Sequence, residues 1–113
     1  MARGDVLRVE IPVSEGHEQA GRRPAIAVQT DTTGASLPTL MIVPLTGQLN
    51  ALRFPHTILV EPSSENGLTQ QSVLLVFQLR AIDRRRIVET IGHLEQHYLD
   101  QLDREMRLML DLG

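Results

Sequence analysis

Thr39-Leu40-Met41-Ile42-Val43-Pro44-Leu45-Thr46 is apolar at every position but its ends and Pro44. A run of this length with β-branched residues reads as a strand buried on both faces. It therefore belongs in the middle of a sheet. Pro44 lacks a ladder donor, so the strand needs a bulge or an unpaired stretch at that point.

Shorter apolar segments flank it. On the N-terminal side, Asp5–Ile11 alternates weakly and stops at Pro12, and Pro24–Thr30 follows an Arg-Arg-Pro step. On the C-terminal side are Thr57–Val60, the nearly continuous run Ser72–Arg80, and Ile87–Leu94 with Gly92 as the place for a bulge. Turn signals separate them: Thr32-Thr33-Gly34, Asn66-Gly67, and Asp83 placed to cap a short turn over Arg84-Arg85-Arg86. Only the last segment has helical period: Leu99, Leu102, Met106 and Met109 recur at three- and four-residue steps, with charges between them. The expected fold is mainly β: a small, curled, barrel-like sheet of about six strands with a C-terminal α-helix, as one domain over residues 1–113.

A chain of 113 residues with 42% apolar content builds a modest core, and association with a second copy is a reasonable expectation. There is no cysteine, which excludes a disulfide scaffold and suits a reducing cytoplasm. No apolar run approaches a membrane span, and Met1–Asp5 carries no signal-peptide core. Net charge is −3, which argues against a generic nucleic-acid coat. The excess acid lies after Leu94, in Glu95, Asp100, Asp103, Glu105 and Asp111 against Arg104 and Arg107. Every basic residue is arginine, whose planar fork suits phosphate and carboxylate, although a GC-rich genome gives the same bias.

The most informative polar stretch is Gly16-His17-Glu18-Gln19-Ala20-Gly21-Arg22-Arg23-Pro24, a loop emptying into a strand. His17 is either an ordinary loop histidine or a group that moves a proton near neutral pH. Arg23 at the strand mouth either makes a salt bridge, with Glu18 within reach, or grips a phosphate. Thr46 ends the central strand and either bonds backbone or holds a phosphate oxygen. Gln78 is an amide inside an apolar run and needs a partner or a ligand. Arg84-Arg85-Arg86 reads first as a solvated turn and second as a contact for an acidic peptide or a nucleic-acid backbone. His93 and His97 have i,i+4 spacing, but a strand-to-helix boundary falls between them, so they read as surface histidines and no metal site is expected.

These residues together resemble the MazF/PemK ribonuclease toxins of bacterial toxin–antitoxin systems. Arg3-Gly4-Asp5-Val6 is similar to that family's opening. Gly16–Pro24 resembles its Gly-x-Glu-Gln-x-Gly-x-Arg-Pro signature, Val43-Pro44-Leu45-Thr46 its hydrophobic strand ending in Thr, and Gln78–Asp83 its Gln-x-Arg-x-Ile-Asp segment. The four occur in the family's order over nearly the whole chain. The resemblance implies an SH3-like barrel of the plasmid-maintenance toxin type, a homodimer, and cleavage of single-stranded RNA at short sequences without a metal or other cofactor. The ribose 2′-OH attacks the adjacent phosphate, leaving a 2′,3′-cyclic phosphate and a 5′-OH. By that resemblance Arg23 stabilises the phosphorane, Thr46 positions the phosphate and Gln78 lines the RNA groove. Glu18, Gln19, Arg22 and Arg53 are further RNA-binding candidates. One branch of the family uses an Arg and an Asp just before its Gln-x-Arg segment; those positions are Leu75 and Phe77 here. The chain is instead similar to the branch that relies on the loop Arg and the strand-end Thr, which leaves His17 as the candidate proton acceptor. The expected partner is an acidic, MazE-like antitoxin peptide lying over the RNA groove. Aromatic residues are few, namely Phe54, Phe77 and Tyr98, so readout by hydrogen bonds rather than by stacking is expected. A same-fold toxin that binds gyrase, or a non-catalytic partner-binding barrel, is the alternative.

Overall fold

The computed structural model describes residues 2–11, 21–30 and 37–113. Its strands are β1 (Asp5–Ile11), β2 (Gly21–Ala27), β3 (Thr39–Thr46), β4 (Thr57–Val60), β5 (Ser72–Leu75), β6 (Arg80–Asp83) and β7 (Ile87–His93), followed by helix α1 (Gln96–Leu110). All pairings are antiparallel, in the order β4-β5-β3-β2-β1-β7, with β6 on β3 as well. β3 is central, as its apolar run requires.

Along one edge β3 changes partner. Thr39–Ile42 pair with β6, and Leu45–Thr46 pair with β5. Pro44 falls in the interval between those two ladders while standing opposite Ala25 of β2 on the other edge. A residue without an N–H is tolerated where the neighbouring strand is being exchanged. The same exchange corrects the expectation of one long strand over Ser72–Arg80. That segment stops at Leu75, turns through a 3-10 turn at Val76–Gln78, and resumes as β6. Among the described residues the sheet therefore has seven strands rather than about six.

The sheet curls, but strand pairing does not close it among the described residues, so the expected barrel is open between β4 and β7. A loop spans the gap. The His93 N–H donates to the Glu65 carbonyl at 2.8 Å. Asn66 is fully buried and uses its whole side-chain amide. Its Oδ1 accepts from the Ser63 and Leu68 N–H groups, and its Nδ2 donates to the Glu61 carbonyl and to Glu95, all at 2.9–3.0 Å. Gly67, at φ +73°, lies so close to β7 that a Cβ there would collide with the Ile91 carbonyl oxygen. The bulge expected near Gly92 is present as a register shift: Val6 faces Gly92 while Leu7 faces Thr90.

The main core lies between the sheet and α1, where Val6, Ile26, Leu45, Leu74 and Leu94 meet Leu99 and Leu102. Met106 and Met109 pack partly buried against it, completing the helical stripe. A second cluster, including Leu7, Val9, Ala25, Leu40 and Ile42, fills the opposite face. Asp83 caps the arginine turn as expected, accepting from the Arg85 N–H at 2.9 Å. No helix is long and apolar enough to cross a membrane among the described residues.

Candidate functional site

The register places Arg23 beside Thr46. Ala25 of β2 stands opposite Pro44 of β3. Side chains repeat every second residue along a strand, so Arg23 and Thr46, each two positions further out, lie on one face at matching heights. Both line one open pocket of about 310 Å³ with Gln48, Ala51, Phe54, Leu75, Phe77 and Gln78. Two 3-10 turns complete the wall. Leu49–Arg53 sets Ala51 and the following Phe54, and Val76–Gln78 sets Phe77 and Gln78. Ala51 and Leu75 of this lining pack with Val73 in a small apolar cluster.

Arg23 carries the only formal charge among these lining residues. It is half-buried, and none of the described carboxylates pairs with it. Thr46 does bond backbone: its Oγ1 accepts from the Gln48 N–H at 3.2 Å. That uses an acceptor lone pair and leaves the hydroxyl proton to be donated into the pocket. Gln78 is half-buried in the turn rather than enclosed in a strand, which corrects its expected setting. Gln48 adds a second amide that sequence reading missed; its place two residues after a strand-end Thr is the available signal.

The remaining candidates separate. Arg22 alternates to the other side of β2, where it approaches Glu10 at 3.5 Å and lines a different pocket with Arg8, Pro24 and Gln70. Arg53 does not line the Arg23–Thr46 pocket, but its guanidinium lies over the Phe54 ring, 4.3 Å from the centroid. His17, Glu18 and Gln19 lie outside the described residues. His93 bonds Asp5 at 3.1 Å, and the His97 ring lies against Tyr98. No group of three His, Asp or Glu side chains is arranged to hold a metal among the described residues. In the arginine turn, Arg85 pairs with Asp83, and hydrogen bonding from Arg85 lowers the Asp83 pKa to about 2. Arg84 donates to the Leu37 carbonyl.

The expectation against a stacking surface rests on the number of aromatics, and the structure adds where two of them lie. Phe54 and Phe77 come from separate turns and meet edge to face, with centroids 5.5 Å apart and planes at 62°. Each is about 40% exposed, so Phe77 is not the core-strand residue that its apolar neighbours suggest.

Chemically, a guanidinium with no carboxylate partner among the described residues, a hydroxyl donor and two amides around a pocket of this size suit a phosphodiester with part of a nucleotide. No carboxylate lines the described part of the pocket, so nothing there repels an anion.

A family model described as the PemK-like, MazF-like toxin of type II toxin–antitoxin systems matches residues 2–110. The chain is 30% identical over 110 residues to Endoribonuclease EndoA of Bacillus subtilis (strain 168), spanning 97% of this chain and 94% of that protein. Among solved structures, MazF (Form-I) from Deinococcus radiodurans superimposes with a TM-score of 0.79 at 22% identity, covering 98% of this chain and 96% of the other. An endoribonuclease in complex with its cognate antitoxin, from Mycobacterial species, gives 0.75 at 16% identity over 100% and 95%. At these identities the solved structures speak for the fold.

Proposed function

The chain belongs to the PemK-like, MazF-like toxin family of type II toxin–antitoxin systems, and on that premise we infer that it is an endoribonuclease cleaving single-stranded RNA. The observation that supports this most directly is the shared pocket of Arg23 and Thr46, with a positive charge and no carboxylate among its described lining residues.

In the proposed reaction the ribose 2′-oxygen forms a bond to phosphorus as the P–O5′ bond breaks. The products are a 2′,3′-cyclic phosphate and a 5′-OH. The 2′-OH proton leaves to a base, and the departing 5′-oxygen takes up a proton. Arg23 faces the extra negative charge of the phosphorane; preorganised donors aimed at such charge are typically the largest catalytic contribution. The Thr46 hydroxyl donates to a non-bridging oxygen and fixes the phosphate for in-line attack. Arg23 is a poor base because a guanidinium stays charged. His17 is the proposed proton acceptor, four residues before β2 in the sequence. Gln48 and Gln78 hold the nucleotides beside the phosphate. The reaction is proposed to need no metal, and the protein to act as a cytoplasmic homodimer silenced by an acidic antitoxin peptide that lies over this groove.

Incubating the protein with single-stranded RNA in excess chelator tests this reading. Discrete fragments with 5′-OH and 2′,3′-cyclic phosphate ends are expected, and Arg23→Ala is expected to lower kcat by roughly 10²–10³. Intact RNA overturns the reading. A His17→Ala enzyme whose pH–rate profile matches the wild type removes His17 as the base.

A further inference from the structure

Two of the chain's three aromatic side chains meet at the mouth of the Arg23–Thr46 pocket, and the RNA reaction described above gives them no role. The third, Tyr98, is buried, and its hydroxyl accepts from the Glu61 N–H. Phe54 and Phe77 are different. Neither belongs to the core clusters, and both leave about 40% of their surface in water. Exposing two large apolar rings side by side is unfavourable unless something covers them.

Their geometry suits a flat partner. The planes meet at 62°, which forms a corner: a planar group lies against one ring while the other bounds its edge. The Arg53 guanidinium, which does not line the pocket, lies over the Phe54 ring. Each ring follows or sits within a 3-10 turn whose backbone is fixed by bonds such as Phe54 N–H to the Ala51 carbonyl and Leu79 N–H to the Val76 carbonyl. The corner is therefore preformed, and ordering it on binding costs little.

We propose that Phe54 and Phe77 form a stacking seat for one unpaired nucleobase of the RNA, next to the phosphate held by Arg23 and Thr46. This deepens the reading above and rests on it. Continuity with the phosphate pocket selects an RNA base as the occupant: a nucleotide whose phosphate meets Arg23 brings its base to the adjoining wall. Stacking on an aromatic face is tolerant of base identity, because every base has a π-face. The seat thus sets affinity and the position of the strand, while the amides of Gln48 and Gln78 are left to discriminate among bases.

The test uses the intact protein and a set of short single-stranded RNAs, each with one abasic site at a different position around the cleaved bond. The wild type is expected to show one position, within a nucleotide or two of the scissile phosphate, where removing the base raises KM roughly tenfold or more. In Phe77→Ala and Phe54→Ala that penalty disappears, because the unmodified RNA already binds as weakly as the abasic one. Phe77→Trp retains the penalty. A merely structural role would weaken all the RNAs alike in the alanine variants and leave the abasic penalty in place, and that result overturns the seat. So does an alanine variant with normal RNA kinetics that has lost affinity only for the antitoxin peptide. Cleavage by the wild type with a flat abasic scan overturns this inference alone. Absence of any cleavage overturns the proposed function and this inference together.

Discussion

Replacing Asn66 with alanine is expected to destabilise the fold by about 3–5 kcal/mol. The side chain is fully buried and makes four hydrogen bonds, two as acceptor and two as donor. Truncation strands the Leu68 N–H in a buried place, and it removes the partners of the Ser63 N–H, the Glu61 carbonyl and the Glu95 carboxylate. An unsatisfied buried group costs about 1–3 kcal/mol. Leu68 bears that cost in full, while the other three groups regain some hydration, which sets the range. Against a typical total of about 5–15 kcal/mol this is a large fraction. Asn66→Asp sharpens the test. It keeps the size and the acceptor but replaces the donor that meets Glu95 at 3.0 Å with a second carboxylate. Two adjacent carboxylates resist joint ionisation, so the introduced Asp carboxyl holds its proton above its unfolded pKa. A raised carboxyl pKa contributes stability below the unfolded value that is lost as pH increases. The Asp variant is therefore expected to be much weaker than wild type at pH 7 and to recover toward it on acidification. Urea denaturation followed by circular dichroism at several pH values measures both effects. An alanine variant within about 1 kcal/mol of wild type, or an Asp variant that tracks wild type at every pH, refutes the reasoning.

Gly67→Ala should destabilise more than a typical surface change, because the added Cβ meets the Ile91 carbonyl in a backbone at φ +73°; a melting temperature unchanged from wild type would count against the contact. Thr46→Val keeps the shape and loses the hydroxyl, so kcat on RNA should fall while Thr46→Ser retains most of it; equal rates in the two variants would show that the hydroxyl is idle. The Asp83 carboxyl, bonded by Arg85, should titrate near 2 in a chemical-shift titration. Its folded pKa lies below the unfolded value, so its contribution is present above about pH 4 and is lost as pH falls toward 2. Asp83→Asn should abolish that dependence, and an Asp83 that titrates as a free carboxylate would contradict the cap.

What could be read from the residues follows the range of the forces involved. β3, α1 and the Asp83 cap rest on apolar period or on a contact between near neighbours, and each stands where those signals put it. Arg23 and Thr46 come together through the register of two strands, and the motif resemblance anticipated their pairing. The break at Val76–Gln78 was not legible, because the run Val73–Phe77 looks the same whether or not its ladder continues. What stops it is a distant event: β3 already has β6 along half of one edge and takes β5 only at Leu45–Thr46. The same blindness hid the Phe54–Phe77 corner, since counting aromatics says nothing about which of them meet. Asn66 reads locally as half of an exposed turn. Its burial depends on Glu95 and on β7, which are remote in the chain.

The first strand of the sheet is joined to the last. β1 pairs with β7 along most of its length, and the Leu94 N–H donates to the Gly4 carbonyl before α1 begins. A chain leaving a ribosome delivers β1 long before β7 and α1. Until then the sheet lacks one edge and the helix that covers its core. Joining β1 to β7 is thus a late step, and the proposed RNA pocket rests on a sheet that stays unfinished until the residues from Ile87 onward have emerged.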